Sequence, residues 1–89
     1  MTAREVRICN PLGLHARAAA RFVHTASRFR SRVTVSRNGR SMDGKSILGI
    51  LLLAAAQGAQ LRLVAEGEDE VAAVDALASL VESGFGEEA

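Results

Sequence analysis

Apolar and polar side chains alternate from Arg4 to Cys9, with Val6 and Ile8 on one face and Arg7 on the other. That period of two predicts a short half-buried strand. Asn10-Pro11-Leu12-Gly13 then ends it in a loop, because Pro and Gly both interrupt regular pairing. From Ala16 to about Arg28 the period lengthens. Ala19, Phe22, Val23 and Ala26 fall at helical spacing and leave Arg17, Arg21 and Arg28 for solvent. Alternation returns over Ser31–Ser36, where Val33 and Val35 share a face. Asn38-Gly39, two residues that tolerate positive φ, predicts a hairpin, with Arg40 to Met42 as the returning strand. Asp43-Gly44-Lys45 forms a turn and Ser46 N-caps a second helix, which is expected to run to about Gln57 and stop at Gly58. Leu61, Leu63 and Ala65 mark a fourth strand. Gly67-Glu68-Asp69-Glu70 leads into a third helix, its acids at the favourable end of the macrodipole. The apolar stripe of that helix is Val71, Val74, Leu77, Ala78 and Val81, and Gly84 onward reads as a frayed tail.

The order is β-α-β-β-α-β-α. It predicts an α/β (α+β) two-layer open-faced sandwich, three helices on one face of a four-stranded sheet. Periodicity alone leaves the strand order open. The length of 89 residues accommodates one core, so residues 1–89 are expected to form a single domain. Apolar residues at 48% and charged residues at 24% exclude a disordered chain. Cys9 is the one cysteine, which excludes an intramolecular disulfide framework. The N-terminus has no apolar h-region, and the longest uncharged apolar run, Ile47–Ala56, spans 10 residues against the roughly 20 of a membrane helix. A cytoplasmic protein without membrane insertion is expected.

The formal net charge of +1 hides two opposite halves. Residues 1–45 hold ten basic groups and two acids, +8; residues 46–89 hold one basic group and eight acids, −7. Nine arginines in the first half suggest a nucleic-acid binder, whose affinity would fall steeply with salt. The absence of Trp and Tyr, with three Phe and an acidic second half, argues against it. Gly39 and Gly44-Lys45-Ser46 also match the spacing of a phosphate-binding P-loop. A P-loop needs one continuous loop from strand to helix, whereas this segment contains a hairpin turn and a strand. Two histidines and one cysteine without His-x-x-His spacing give no metal site, and no cofactor is expected.

His15 carries the strongest chemical signal. On local pattern alone it is a polar residue flanking a helix. Yet a helix N-terminus presents unpaired N–H groups and partial positive charge. That environment favours a neutral, nucleophilic imidazole and receives an anion such as phosphate. Arg17 supplies a second, charge-assisted contact. The second helix gives an independent clue, since Ile47–Ala56 contains no charge. In a two-layer protein some of Ile47, Leu48, Leu51 and Leu52 must then remain uncovered, as a docking patch.

Three segments carry a resemblance. Gly13-Leu14-His15-Ala16-Arg17-Ala18-Ala19 resembles the active-site signature of the histidine-containing phosphocarrier (HPr) family of the bacterial phosphoenolpyruvate-dependent phosphotransferase system. Gly44-Lys45-Ser46-Ile47-Leu48-Gly49 resembles its regulatory serine segment, and Ala65-Glu66-Gly67-Glu68-Asp69-Glu70 a third stretch of the family; the match covers at least residues 4–82. The resemblance implies an antiparallel sheet of order 1-4-2-3. It implies that His15 takes a phosphoryl group on Nδ1 from phosphorylated enzyme I and passes it to a histidine of an enzyme IIA domain. Ala16 and Arg17 would hold the phosphate. Ala20, Arg21, His24, Ile47, Leu48 and Leu51 would dock the partners, and Ser46 would be phosphorylated by an HPr kinase/phosphorylase. Such a protein is a monomeric carrier rather than an enzyme, serving sugar uptake or its regulation. The alternative within the family is a regulatory member of a nitrogen or carbon phosphorelay that moves no sugar. A further alternative is a non-phosphorylatable module that docks through its second helix. One departure is Ala18, where the family usually has Pro. Ala18 permits the same helix with a slightly looser first turn.

Overall fold

The structure is a computed structural model that describes residues 1–87. Its elements are β1 (Thr2–Arg7), α1 (Ala16–Ala26), β2 (Arg32–Arg37), β3 (Arg40–Asp43), α2 (Ile47–Leu52), β4 (Gln60–Glu66) and α3 (Glu70–Glu82), followed by a tight C-terminal turn over Gly84–Gly86. The four strands form one antiparallel sheet in the order β1-β4-β2-β3. This is the predicted sandwich and the strand order the family resemblance implied.

Alternation decides which face each side chain takes. Register pairs Val6 with Leu61, Val33 with Ala65, and Val35 with both Leu63 and Met42. These residues face the helices, and all but the half-buried Met42 are buried. Their neighbours Glu5, Arg7 and Arg62 point into solvent from the other face. The helices close the core with Ala18, Ala19, Phe22 and Ala26 of α1, Ile50 of α2, and Ala73, Val74, Leu77, Ala78 and Val81 of α3. The hairpin between β2 and β3 turns on Asn38 (φ 50°) and Gly39 (φ 81°), the two positive φ values that a tight antiparallel turn requires.

Three expectations need correction. The second helix ends at Leu52 rather than near Gln57. Ala54 takes a left-handed φ of 50°, and the chain then runs extended so that the Ala55 carbonyl accepts from Leu14 N at 2.8 Å. The carbonyls freed by this early stop are taken from across the fold: Arg40 Nη1 donates to Leu52 O at 3.1 Å and Arg37 Nη1 to Leu53 O at 2.9 Å. In α3, Val71 is 60% exposed, and Ala73 occupies the core-facing place in its turn. The C-terminal segment is not frayed where it is described. Phe85 is buried at 1% exposure, held in a left-handed conformation (φ 59°) between Gly84 and Gly86. Residues 88–89 of the expected tail lie outside the described residues.

The charged halves meet at a few places. Arg4 reaches Glu82 at 3.2 Å and Asp75 at 3.8 Å on α3. Around the start of α3, Asp69 accepts from the Arg30 and Ser31 amides, both at 2.9 Å, and from the Ser31 hydroxyl. Those hydrogen bonds, the Ser31 hydroxyl foremost, pull the Asp69 pKa down to about 2. Glu70 is likewise drawn to about 2, first by its hydrogen bond with the N-terminal ammonium at 2.8 Å and then by the Thr2 hydroxyl at 2.6 Å. Both folded values lie below the ordinary carboxylate range. Their contribution is therefore complete above about pH 5 and lost as pH falls through that range toward 2. We expect the melting temperature to be flat above about pH 5 and to decline between about pH 4 and 2. Asp69→Asn should flatten part of that decline, and a native-like acid profile in the variant would count against the assignment.

Candidate functional site

The loop before α1 is fixed from several sides. Gly13 N donates to Asn10 O at 3.1 Å, the buried Asn10 returns its Nδ2 to Gly13 O at 2.8 Å, and Leu14 is tied to Ala55. Gly13 itself has φ +66°, and a Cβ there would meet Ala55 O at 2.7 Å. This loop delivers His15 to the N-cap position of α1 with extended backbone angles (φ −76°, ψ 177°). His15 O accepts from Ala19 N at 2.8 Å, the first bond of the helix.

N-caps are usually Ser, Thr, Asp or Asn, whose oxygens accept an orphan amide hydrogen. Here an imidazole does so, with Arg17 N donating to His15 Nδ1 at 3.2 Å. An Nδ1 that accepts is unprotonated, so the ring proton sits on Nε2. Nε2 in turn contacts Glu87 Oε2. The His15 side chain is 25% exposed, open enough for a reacting group to reach it.

The other predicted residues lie on or at the start of α1 and α2, which pack together. Ala16 and Arg17 are exposed in the first turn of α1, where main-chain N–H groups have no carbonyl of the helix to bond. Ala20, Arg21 and His24 are exposed farther along α1. Ala18 is fully buried in the same helix, and α1 forms without the Pro usual there. On α2, which packs on α1, Ile47, Leu48 and Leu52 are exposed at 45%, 68% and 50%, whereas Leu51 is half-buried against the core. Ser46 N-caps α2, its Oγ accepting from Gly49 N at 3.1 Å. Residues 40–43 form β3, so the Gly39–Ser46 spacing is interrupted by a strand and makes no P-loop.

Sequence reasoning missed Asn10, Leu12, Phe85 and Glu87 around His15, and gave Arg21 a docking role alone. Leu12, 73% exposed, adds an apolar group to the loop before His15. Arg21 donates to the Phe85 carbonyl and so ties the C-terminal turn to α1. Glu87 bonds His15 through one carboxylate oxygen and receives Asn10 Nδ2 at 2.6 Å on the other. Burial opposes ionisation of Glu87, but the hydrogen bonds from His15 and Asn10, with the nearby charge of Arg21, outweigh it and hold its pKa below the ordinary value. The usable signal for this cluster was Phe85 between two glycines, an aromatic residue in an otherwise polar tail. Among the described residues, no three His, Cys, Asp or Glu side chains gather to hold a metal ion. Among them, too, no helix is long and apolar enough to cross a membrane.

An open-faced sandwich that presents a histidine at a helix mouth and leaves apolar residues of α2 exposed matches what the phosphocarrier resemblance implied. Comparison with known proteins makes the assignment specific. The family model described as "PTS HPr component phosphorylation site" matches residues 2–83. The chain is 48% identical over 88 residues to the phosphocarrier protein HPr of Xylella fastidiosa, covering 99% of each. It is similar to the crystal structure of HPr-C-His from Thermoanaerobacter tengcongensis, with a TM-score of 0.96, 47% identity and 100% of both chains covered. The chain belongs to the HPr family of the phosphotransferase system. An HPr dimer from Thermoanaerobacter tengcongensis also matches, with a TM-score of 0.78, 47% identity and 98% and 100% coverage. That neighbour is a dimer, whereas a monomer was the expectation for this chain.

Proposed function

We propose that this chain is a cytoplasmic carrier that takes a phosphoryl group onto His15 Nδ1 from phosphorylated enzyme I and gives it to a histidine of enzyme IIA. The observation that carries the reading is the hydrogen bond from Arg17 N to His15 Nδ1. It leaves the lone pair on the reacting nitrogen and places an N–H group where a phosphoryl oxygen will need one. In the forward step the Nδ1 lone pair bonds to phosphorus while the phosphorus–nitrogen bond of the donor breaks and its electron pair returns to the donor histidine. Such transfer needs alignment and charge compensation more than covalent machinery. The Ala16 and Arg17 amides and the Arg17 guanidinium supply the compensation. The partners supply the remaining active-site groups, so the chain acts as a carrier and not as an enzyme by itself.

Docking falls to the face that α1 and α2 share. Ile47, Leu48 and the edge of Leu51 offer apolar surface on α2, and Ala20, Arg21 and His24 are exposed on the adjacent α1. The basic groups steer acidic partner surfaces toward it. Ser46 is the regulatory position. A phosphate on its Oγ stays compatible with the N-terminus of α2 and sets negative charge beside Ile47 and Leu48.

The test is intact mass after incubation with phosphoenolpyruvate and enzyme I. One acid-labile, base-stable phosphoryl group is expected on the native chain, and none on His15→Ala. Undiminished labelling of His15→Ala would remove His15 from the reaction, and an unlabelled native chain would remove the carrier reading altogether.

A further inference from the structure

The C-terminal turn is built to deliver one carboxylate. Phe85 is locked in the core, Glu87 N donates to Gly84 O at 3.1 Å, and Arg21 holds the Phe85 carbonyl. The turn packs on α1 and α3 and ends with Glu87 between Asn10 and His15. Both acceptors facing Asn10 Nδ2, the Gly13 carbonyl and Glu87 Oε1, require its amide hydrogens, which fixes the orientation of that side chain. The result is a chain of contacts from buried Asn10 through Glu87 to Nε2, while Arg17 N occupies Nδ1. A carboxylate on the far nitrogen of a reacting imidazole fixes the tautomer and stabilises positive charge on the ring.

We propose that Glu87 is a positioning residue for the phosphohistidine, holding the Nε2 proton so that Nδ1 accepts the phosphoryl group and later releases it. The inference rests on the carrier reading of His15. When Nδ1 bonds phosphorus, Nε2 keeps its proton and the ring gains positive charge, which the Glu87 carboxylate faces. In the onward step the phosphorus–nitrogen bond breaks, its electron pair returns to Nδ1, and the ring departs as neutral imidazole still carrying the Nε2 proton. A ring that has lost that proton must depart as an anion, a far poorer leaving group. Glu87 thereby keeps the phosphoryl group transferable to higher pH.

Among the described residues, the other charged groups about His15 are Arg17 and Arg21 on α1. Across α1, Ile47–Leu52 of α2 carries no charge, and the α3 acids Asp75 and Glu82 turn to Arg4. None of these replaces a carboxylate at Nε2.

Two variants separate the roles. Glu87→Gln keeps an acceptor oxygen and removes the charge; Glu87→Ala removes both. With the full chain phosphorylated by phosphoenolpyruvate and enzyme I, nitrogen and phosphorus NMR follow release of the Nε2 proton. We expect release about one pH unit lower in Glu87→Gln than in the native chain, a tenfold change of the size a charge-assisted hydrogen bond supplies. At alkaline pH, onward transfer to enzyme IIA should fall by up to about tenfold in both variants. Glu87→Gln should hold the native ring orientation and acceptance rate more closely than Glu87→Ala. Identical titration in all three chains overturns the proposal, as does a loss of rate in Glu87→Ala with an unmoved pH profile. Ring nitrogen shifts of the unphosphorylated chains give a separate readout of the Glu87–Nε2 bond. If the native chain takes no phosphoryl group, the carrier reading fails. If it does and the pH profiles coincide, only the role of Glu87 fails.

Discussion

Phe85→Ala is expected to destabilise the protein by about 3–5 kcal/mol, the usual range for emptying a buried aromatic site. Phe85 is 1% exposed and ranks with Phe22 among the largest fully buried side chains. Its left-handed backbone (φ 59°) costs roughly 1–2 kcal/mol for a residue with a Cβ. Burying the ring, worth about 1.5–3 kcal/mol, offsets that strain. Without the ring only the hydrogen bonds of Arg21, Asn10, His15 and Gly84 hold the turn against its backbone strain, so the loss should extend beyond the cavity. A domain of this size has about 5–15 kcal/mol of stability in all, and the melting temperature should drop by more than about 12 °C. The substitution should also reach the site, because Glu87 lies two residues beyond Phe85. At a temperature where the variant stays folded, His15 ring resonances should move while those of β2 and β3 do not. A denaturation midpoint equal to that of the native chain would show that the C-terminal turn is no part of the core.

That turn also shows where sequence reasoning stopped. The strands were legible because one face of the sheet is buried and the other wet, which imprints a period of two on Val33–Val35 and Leu61–Ala65. The turn at Asn38-Gly39 and the cap at Ser46 were legible because each depends on the local chemistry of one or two residues. The uncovered face of α2 followed from counting layers, and Ile47, Leu48 and Leu52 are exposed as that argument requires. What was missed depends on partners far along the chain. The early end of α2 rests on Arg37 and Arg40, which reach its last carbonyls from the β-hairpin. The placement of Glu87 rests on His15 and Asn10, more than 70 positions away. Local pattern carries no trace of such contacts. The glycines flanking Phe85 resembled a loose end, although positive φ at three successive residues builds a tight turn.

Gly13→Ala should damage the site more than its small change in volume suggests. The position has φ +66°, which costs a residue with a Cβ about 1–3 kcal/mol. The added methyl would also lie 2.7 Å from Ala55 O and 2.9 Å from Ala56 Cα, both backbone atoms that no rotamer change can move aside. The hydrogen bond from Leu14 N to Ala55 O, at 2.8 Å, crosses the same gap. Relief therefore requires the loop before His15 to separate from the segment after α2. His15 would then shift relative to the Arg17 amide, and displacement of a reacting group by about 1 Å is enough to cost on the order of a hundredfold in rate. We expect a lower melting temperature together with a fall in the rate of phosphorylation at His15 that persists well below that temperature. Restoring space with a second change is not available here, since the opposing atoms are main chain. Full phosphorylation rates in a destabilised Gly13→Ala protein would mean that the loop holds the fold without setting the geometry of His15.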